Sequence, residues 1–135
     1  MKIGIVVADF NSEITHEMLK IAVAEAEKNN VQTTVVHVPG VFDMPLIIKK
    51  LLEKKDIEGV ATIGAVISGG TAHDAHVAEN AARQISNLSV EFNKPVTLSV
   101  IGHNVSKQQA LERHKSYAQY GINALLELIE TIKKM

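Results

Sequence analysis

Hydrophobic and polar positions follow two kinds of spacing that alternate along the chain. Nearly continuous apolar runs predict strands buried on both faces, at residues 3–8, 31–38, 59–67 and 95–101. Apolar residues at helical spacing separate these runs and predict helices over residues 12–29, from Asp43 onward, over 73–92 and from Ser106 to the C-terminus. The chain is therefore predicted to alternate strand and helix throughout.

This alternation predicts an α/β fold. Strands buried on both faces need helices on both sides, which gives a three-layer α/β/α sandwich around a parallel sheet. Right-handed crossovers leave few topologies, and the simplest is a four-stranded sheet in the flavodoxin-like order 2-1-3-4. Because the sequence contains no linker and no repeat, residues 1–135 are expected to form a single domain.

Local signals mark the helix termini. Asn11 or Ser12 is expected to cap the first helix, and Asp43 is expected to cap the second. Four side chains of the second helix are expected to face inward: Leu46, Ile47, Leu51 and Leu52. Residues 106–109 match a capping box, and Gly121 is the position at which the last helix could bend.

Composition and charge exclude several classes of protein. Hydrophobic residues make up 46% and charged residues 21%, as in a folded globular chain. With 14 Lys and Arg against 15 Asp and Glu, the chain lacks the basic excess of a nucleic-acid-binding protein. Without cysteine, it has no disulfide and no thiolate metal site. The first apolar run ends at Asp9, too soon for a membrane span, so we expect a cytoplasmic protein with neither membrane nor nucleic-acid partners.

Ligands of such sheets bind beyond the carboxyl ends of the strands, and the strongest signal there is the loop 68–71, Ser-Gly-Gly-Thr. Two glycines permit close approach, and the N–H groups of the following helix attract anions, so the loop is either a phosphate site or an ordinary turn. His73 could exchange protons with a substrate or be an exposed polar residue. His73 and His76 could also bind metal, but two ligands make no site.

Three further positions could bind a ligand. Phe10, after the first strand, could stack on a planar heterocycle or cover the sheet edge as a core residue. Gly40, in the segment 38–45, permits close approach of a polyol. Arg113 is one of two arginines in the chain, and it could hold a phosphate or pair with helical neighbours in solvent.

Taken together, these segments resemble the lumazine synthase family, and its archaeal members in particular. The matching segments stand in the family's order and cover most of the chain: residues 9–11, 38–45, 64–73, 80–82 and 109–113. The short N-terminus and residues 92–98 are similar to archaeal members. The chain departs from the family at Ser68 and Gly70, where charged residues are common, and at Tyr117, where bacterial members have lysine.

The resemblance implies a cofactor-independent and metal-independent transferase. It would condense 5-amino-6-(D-ribitylamino)uracil with 3,4-dihydroxy-2-butanone 4-phosphate to give 6,7-dimethyl-8-ribityllumazine, phosphate and water in riboflavin biosynthesis. His73 would be the catalytic proton shuttle, and Phe10 would stack on the pyrimidine. The ribityl chain, the pyrimidine edge and the phosphate would be held by Asn11, Gly40, Val41, Phe42, Asp43, Ala65, Val66, Ile67, Gly69, Gly70, Thr71, Leu98 and Arg113.

The resemblance also implies self-association into pentamers whose neighbouring subunits complete each site. Phe10 and the ribityl loop would lie on one chain, and His73 would lie across the subunit boundary. Because residues 113–118 leave no room for an insertion, a sixty-subunit icosahedral shell is an alternative to smaller pentameric forms. Two other functions stay open: an archaeal-type riboflavin synthase, and a non-enzymatic flavin-binding module of flavodoxin-like fold.

Overall fold

The structure is a computed structural model that describes residues 1–69 and 73–135. The elements follow the predicted order, with boundaries that differ from the predicted ones by one or two residues. They are β1 (Lys2–Ala8), α1 (Ser12–Lys28), β2 (Gln32–Val38), a 3₁₀ turn (Val41–Asp43), α2 (Met44–Leu52), β3 (Val60–Ala65), α3 (His73–Phe92), β4 (Val96–Ile101) and α4 (Lys107–Lys133). Within the described ranges, no helix is long and apolar enough to cross a membrane.

The four strands form one parallel sheet in the order β2-β1-β3-β4, which confirms the predicted topology. β1 lies in the middle and pairs with β2 along its whole length, from Lys2 opposite Gln32 to Ala8 opposite Val38. β4 pairs with β3 and forms the opposite edge. Since β1 and β3 are neighbours whose following helices lie on different faces, their carboxyl ends flank the crevice where ligands of such sheets bind.

Two apolar cores, one on each face of the sheet, make the three layers. On one face, odd-numbered residues of β1 such as Ile5 pack against α1 and α4. On the other face, residues such as Val6 pack against α2 and α3. A strand between two apolar cores must carry apolar side chains on both faces. For this reason β1 and β3 are nearly continuous apolar runs in the sequence.

Two local expectations about α2 are wrong. The side chain of Leu46 is 64% exposed, and the buried positions of the helix are Met44, Ile48, Leu51 and Leu52. Asp43 stands at the N-terminal boundary of the helix, but its carboxylate makes no capping bond to it. The Asp43 carboxylate instead accepts from the Gly40 amide, and the buried positions of α2 follow helical spacing from Met44, at i+4, i+7 and i+8.

The last helix begins as predicted and runs without a bend. Ser106 Oγ accepts from the Gln109 amide at 3.1 Å, and Gln109 Oε1 accepts from the Ser106 amide at 2.9 Å, which completes the capping box. α4 is continuous through Gly121, so the predicted bend is wrong. Gly121 instead permits close packing, since a Cβ there would lie 2.0 Å from the Oγ of Ser99 on β4.

We expect Gly121→Ala to destabilise the protein although alanine favours helix. The Ser99 hydroxyl donates to the carbonyl of Tyr117 at 2.7 Å, so it cannot move aside without losing that bond. Overpacking of this kind lowers the free energy of unfolding by about 1–3 kcal/mol, which exceeds the helix-propensity gain. Denaturant unfolding measures the change, and Gln119→Ala on the exposed face of α4 is the control. A Gly121→Ala variant as stable as the control would contradict the close packing.

Candidate functional site

A cavity of about 390 Å³ opens at the carboxyl ends of β1 and β3. Its volume falls in the range of small-molecule sites, roughly 300 to 1,000 Å³. Nine of the predicted site residues line it: Phe10, Gly40, Val41, Phe42, Ala65, Val66, Ile67, Gly69 and His73. The loops after β1, β2 and β3 therefore meet at one place, as the predicted topology requires.

The loop after β1 presents an aromatic ring to solvent. The side chain of Phe10 is 73% exposed, which excludes the alternative that Phe10 is a core residue. Its backbone amide donates to the carbonyl of Pro39 at 3.0 Å. Asn11 takes a left-handed conformation, with φ of 64°, and its side-chain Nδ2 donates to the carbonyl of Ala65 at 2.8 Å. Asn11 thus joins the ends of β1 and β3 and holds Phe10 at the rim, while its own side chain does not line the cavity.

The loop after β2 is closed by two hydrogen bonds between its ends. The Gly40 amide donates to Asp43 Oδ2, and the Asp43 amide donates to the Gly40 carbonyl, each at 3.0 Å. Val41 is buried under this turn, whereas the Phe42 side chain is 62% exposed. Asp43 therefore shapes the loop and lies outside the wall of the cavity, in which Gly40, Val41 and Phe42 take part.

The end of β3 forms the floor of the cavity. Regular pairing stops at Ala65, two residues before the predicted end of the strand. The chain stays anchored beyond that point, because the Val66 amide donates to the Ile101 carbonyl at 2.7 Å and the Ser68 amide to the Val105 carbonyl at 2.9 Å. Residues 65–67 are thus held in a fixed, extended backbone beside the cavity, the arrangement that can bond the edge of a heterocycle.

The start of α3 supplies the titratable groups. His73 and Asp74 line the cavity, and so does Val77, one turn further along the helix. Asp74 and Val77 were not predicted, although their position within a turn of His73 at the start of a predicted helix was a usable signal. His76 does not line the cavity. Gly70 and Thr71, which were predicted to hold a phosphate, lie outside the described residues.

Two predicted site residues lie elsewhere on the chain. Leu98 is on the edge strand β4, where it shares a separate groove with Ser116, Tyr117 and Tyr120. Arg113 is exposed on α4, and no described residue of that helix lines the cavity. The lining residues that the structure describes include no Lys or Arg, although Asp74 is among them. One chain therefore brings together the aromatic, backbone and histidine groups, but not the arginine.

The position of His73 corrects one expectation about assembly. His73 was expected to lie across a subunit boundary from Phe10. The structure places both residues on the same cavity of the same chain. The physical reason is the sheet order: β1 and β3 are adjacent, so the loops that follow them meet within one molecule.

Fold and site together define an α/β sandwich protein with a cavity of small-molecule size at the carboxyl edge of a parallel sheet. The sequence model of the 6,7-dimethyl-8-ribityllumazine synthase family matches residues 1–135, and the chain belongs to this family of enzymes.

Three curated relatives carry the same name. That of Saccharolobus solfataricus is 52% identical over all of this chain and 88% of its own. That of Pyrobaculum calidifontis is 48% identical over 95% of this chain and 86% of its own. That of Sulfolobus acidocaldarius is 46% identical over all of this chain and 86% of its own.

Proposed function

We propose that the protein condenses 5-amino-6-(D-ribitylamino)uracil with 3,4-dihydroxy-2-butanone 4-phosphate to give 6,7-dimethyl-8-ribityllumazine, phosphate and water. The observation that carries the proposal is the meeting of Phe10, the 40–42 loop, the 65–67 backbone and His73 on one cavity, in a chain of this family. An exposed ring beside a row of fixed backbone groups suits a planar pyrimidine with a polar edge.

Each group of residues that lines the cavity has a different role in the proposed reaction. Phe10 stacks on the pyrimidine, the backbone at 65–67 bonds its edge, and the loop containing Gly40 and Phe42 lies along the ribityl chain. His73 moves protons during imine formation and during loss of phosphate. Holding two substrates in one geometry supplies much of the remaining rate enhancement, because it turns a bimolecular step into an intramolecular one.

Absorbance measured with the two substrates tests this function. We expect the lumazine chromophore to appear with one phosphate released per turnover, without added metal or organic cofactor. A riboflavin synthase would leave both substrates unchanged and would form riboflavin only when lumazine is added. A flavin carrier would bind ribityl compounds and turn over neither substrate. Either of those two results would contradict the proposed condensation.

The missing positive charge is best explained by a second copy of the chain. A phosphate in the cavity needs a cation, and the described lining residues contribute the carboxylate of Asp74 instead. Arg113 precedes Tyr117 by one helical turn, so both lie on one side of α4, and Tyr117 shares its groove with Leu98. A neighbouring chain that docks this side of α4 and the edge of β4 near the cavity would deliver both Leu98 and Arg113.

Exposed apolar side chains support a head-to-tail contact of this kind. One patch, at the rim of the cavity, contains Phe10, Phe42 and Leu46. A second patch, at the edge of the sheet, contains Leu98, Tyr117 and Tyr120. Two different patches on one chain make a heterologous interface, which closes into a ring when the rotation fits. We propose pentameric rings, which could assemble further into a sixty-subunit shell.

Light scattering on the purified protein measures this assembly. We expect a mass of at least five chains at micromolar concentration. Tyr120→Asp places a charge in the second patch, where Tyr120 is 75% exposed, and should shift the mass toward smaller species. Arg83→Asp, at an exposed site on α3 that belongs to neither patch, is the matched control. A fully active monomer or dimer would contradict the shared site.

A further inference from the structure

Three metal-ligating side chains converge outside the cavity, at the carboxyl end of β1. Asp9 directly follows the strand, His16 is in the second turn of α1, and His37 is the penultimate residue of β2. Asp9 Oδ1 lies 2.8 Å from His16 Nε2 and 2.7 Å from His37 Nδ1. Among residues 1–69 and 73–135, no other His, Cys, Asp and Glu side chains form a group of three or more within metal-binding distance.

The fold fixes this convergence. In the parallel register Val7 is opposite His37, so the end of β1 and the end of β2 are adjacent. His37 alternates with the buried Val38 and therefore faces the same layer as α1. The Asp9 amide donates to the Val38 carbonyl at 2.8 Å, which holds the carboxylate beside the edge strand. Each ligand thus comes from a different element, and all three elements are themselves held by the core.

We propose that Asp9, His16 and His37 form a binding site for a divalent transition-metal ion such as Zn²⁺. Two imidazoles and a carboxylate are a common zinc ligand set, and with three protein ligands a fourth position stays open to water. In a tetrahedral zinc site the ligand atoms lie about 3.3 Å apart. Asp9 Oδ1 is roughly 0.5 Å closer than this to each ring nitrogen, and the two ring nitrogens lie within 4.8 Å of each other, so shifts of roughly 0.5 to 1.5 Å would admit the ion.

The surroundings favour a ligand that is accessible and ionised. The three side chains are 46–47% exposed, so an ion can enter from solvent and the side chains can adjust. In the metal-free chain, hydrogen bonds from His16 and then His37 lower the pKa of the Asp9 carboxyl. The two rings stand nearly perpendicular, with an interplanar angle of 89°, so they can point their nitrogens at one ion without stacking on each other.

An ion at this site would join β1, α1 and β2 beside the substrate cavity. Asp9 immediately precedes Phe10, and His37 lies three residues before Gly40, so two loops of the cavity start from metal ligands. Binding to the folded chain alone would stabilise it by an amount that rises with the logarithm of the ion's concentration over its dissociation constant. The proposed role is structural, because none of the three ligands lines the cavity.

Metal analysis of the untagged protein tests the site. After dialysis against micromolar Zn²⁺, we expect about one ion per chain, and we expect Co²⁺ to give the visible absorption of a low-coordinate site. His16→Ala and His37→Ala should each weaken Zn²⁺ binding tenfold or more, since even outer-shell substitutions cost about 10–100-fold. His103→Ala is the matched control, because His103 faces one carboxylate, that of Glu79, at 3.5 Å.

Thermal melting separates loss of the site from loss of the fold. With EDTA present, all four proteins should melt at similar temperatures, because the substituted side chains are partly exposed. Adding Zn²⁺ should raise the melting temperature of the wild type and of His103→Ala, and should leave the other two variants unchanged. The proposal would be overturned if the wild-type protein retains no Zn²⁺. It would also be overturned if His16→Ala and His37→Ala bind Zn²⁺ as tightly as the wild type, whatever the enzyme's activity.

Discussion

Replacing His73 with alanine is expected to lower kcat by about 10- to 10⁴-fold, a range around the usual contribution of a general acid–base group. His73 lines the cavity at the start of α3, together with the loops proposed to hold the planar substrate. The substitution removes the imidazole and leaves those loops unchanged, so the dissociation constant of a ribityl-pyrimidine ligand should change far less than kcat. Single-turnover absorbance measures the chemical step, and equilibrium titration measures binding.

His76→Ala is the matched control for this experiment. His76 is an exposed histidine less than one turn along the same helix, and it does not line the cavity. The His76→Ala variant should convert the substrates at the wild-type rate. If His73→Ala also keeps the wild-type rate, the proton shuttle must be another group, and Asp74 is then the next titratable side chain on the cavity.

Replacing Arg113 with alanine is expected to raise KM for the butanone phosphate by about 10- to 100-fold, the effect of losing charge-assisted hydrogen bonds to phosphate. KM for the pyrimidine should change little, because in the proposed site the pyrimidine would be bound by Phe10 and by backbone groups that line the cavity. Inorganic phosphate should compete with the butanone phosphate in the wild type, and this competition should weaken in the variant. Steady-state kinetics with each substrate varied in turn gives both constants.

Arg83→Ala controls for the loss of an arginine. Arg83 is the other arginine of the chain, it is exposed on α3, and it is absent from the described lining of the cavity. Its substitution should leave both KM values unchanged. Equal increases in the two KM values of Arg113→Ala would show that Arg113 acts on the fold or the assembly and not on the phosphate.

The fold could be predicted from the sequence because one physical constraint dominates it. Residues such as Ile5 and Val6 are both fully buried, on opposite faces of the sheet, and only a strand between two helical layers satisfies that. The local predictions that were wrong concern residues that make a contact other than the predicted one. Asp43 bonds the Gly40 amide in place of the helix, and Gly121 permits contact with Ser99 in place of a bend.

The site was predictable where it depends on strand ends and less so where it depends on contacts between distant residues. Phe10, Gly40 and Val66 follow strands that the sequence identifies, so their meeting follows from the topology. The Asp9–His16–His37 group was missed, because no pair of its members has a recognisable spacing. Only the register between β1 and β2 brings His37 to Asp9, and register is a property of the paired strands.

We propose that two chains share each active site, with His73 from one chain and Arg113 from its neighbour. The decisive measurement is the activity of His73→Ala and Arg113→Ala chains co-assembled in equal amounts, assayed at low butanone phosphate, where each variant alone turns over far more slowly than the wild type. In a heterologous ring about one quarter of the sites would then hold both intact residues, so we predict about one quarter of wild-type activity. Wild-type chains co-assembled with a double variant should give the same fraction. Activity no higher than that of the separate variants, with half of wild-type activity in the second mixture, would show that each site belongs to a single chain and would contradict the account.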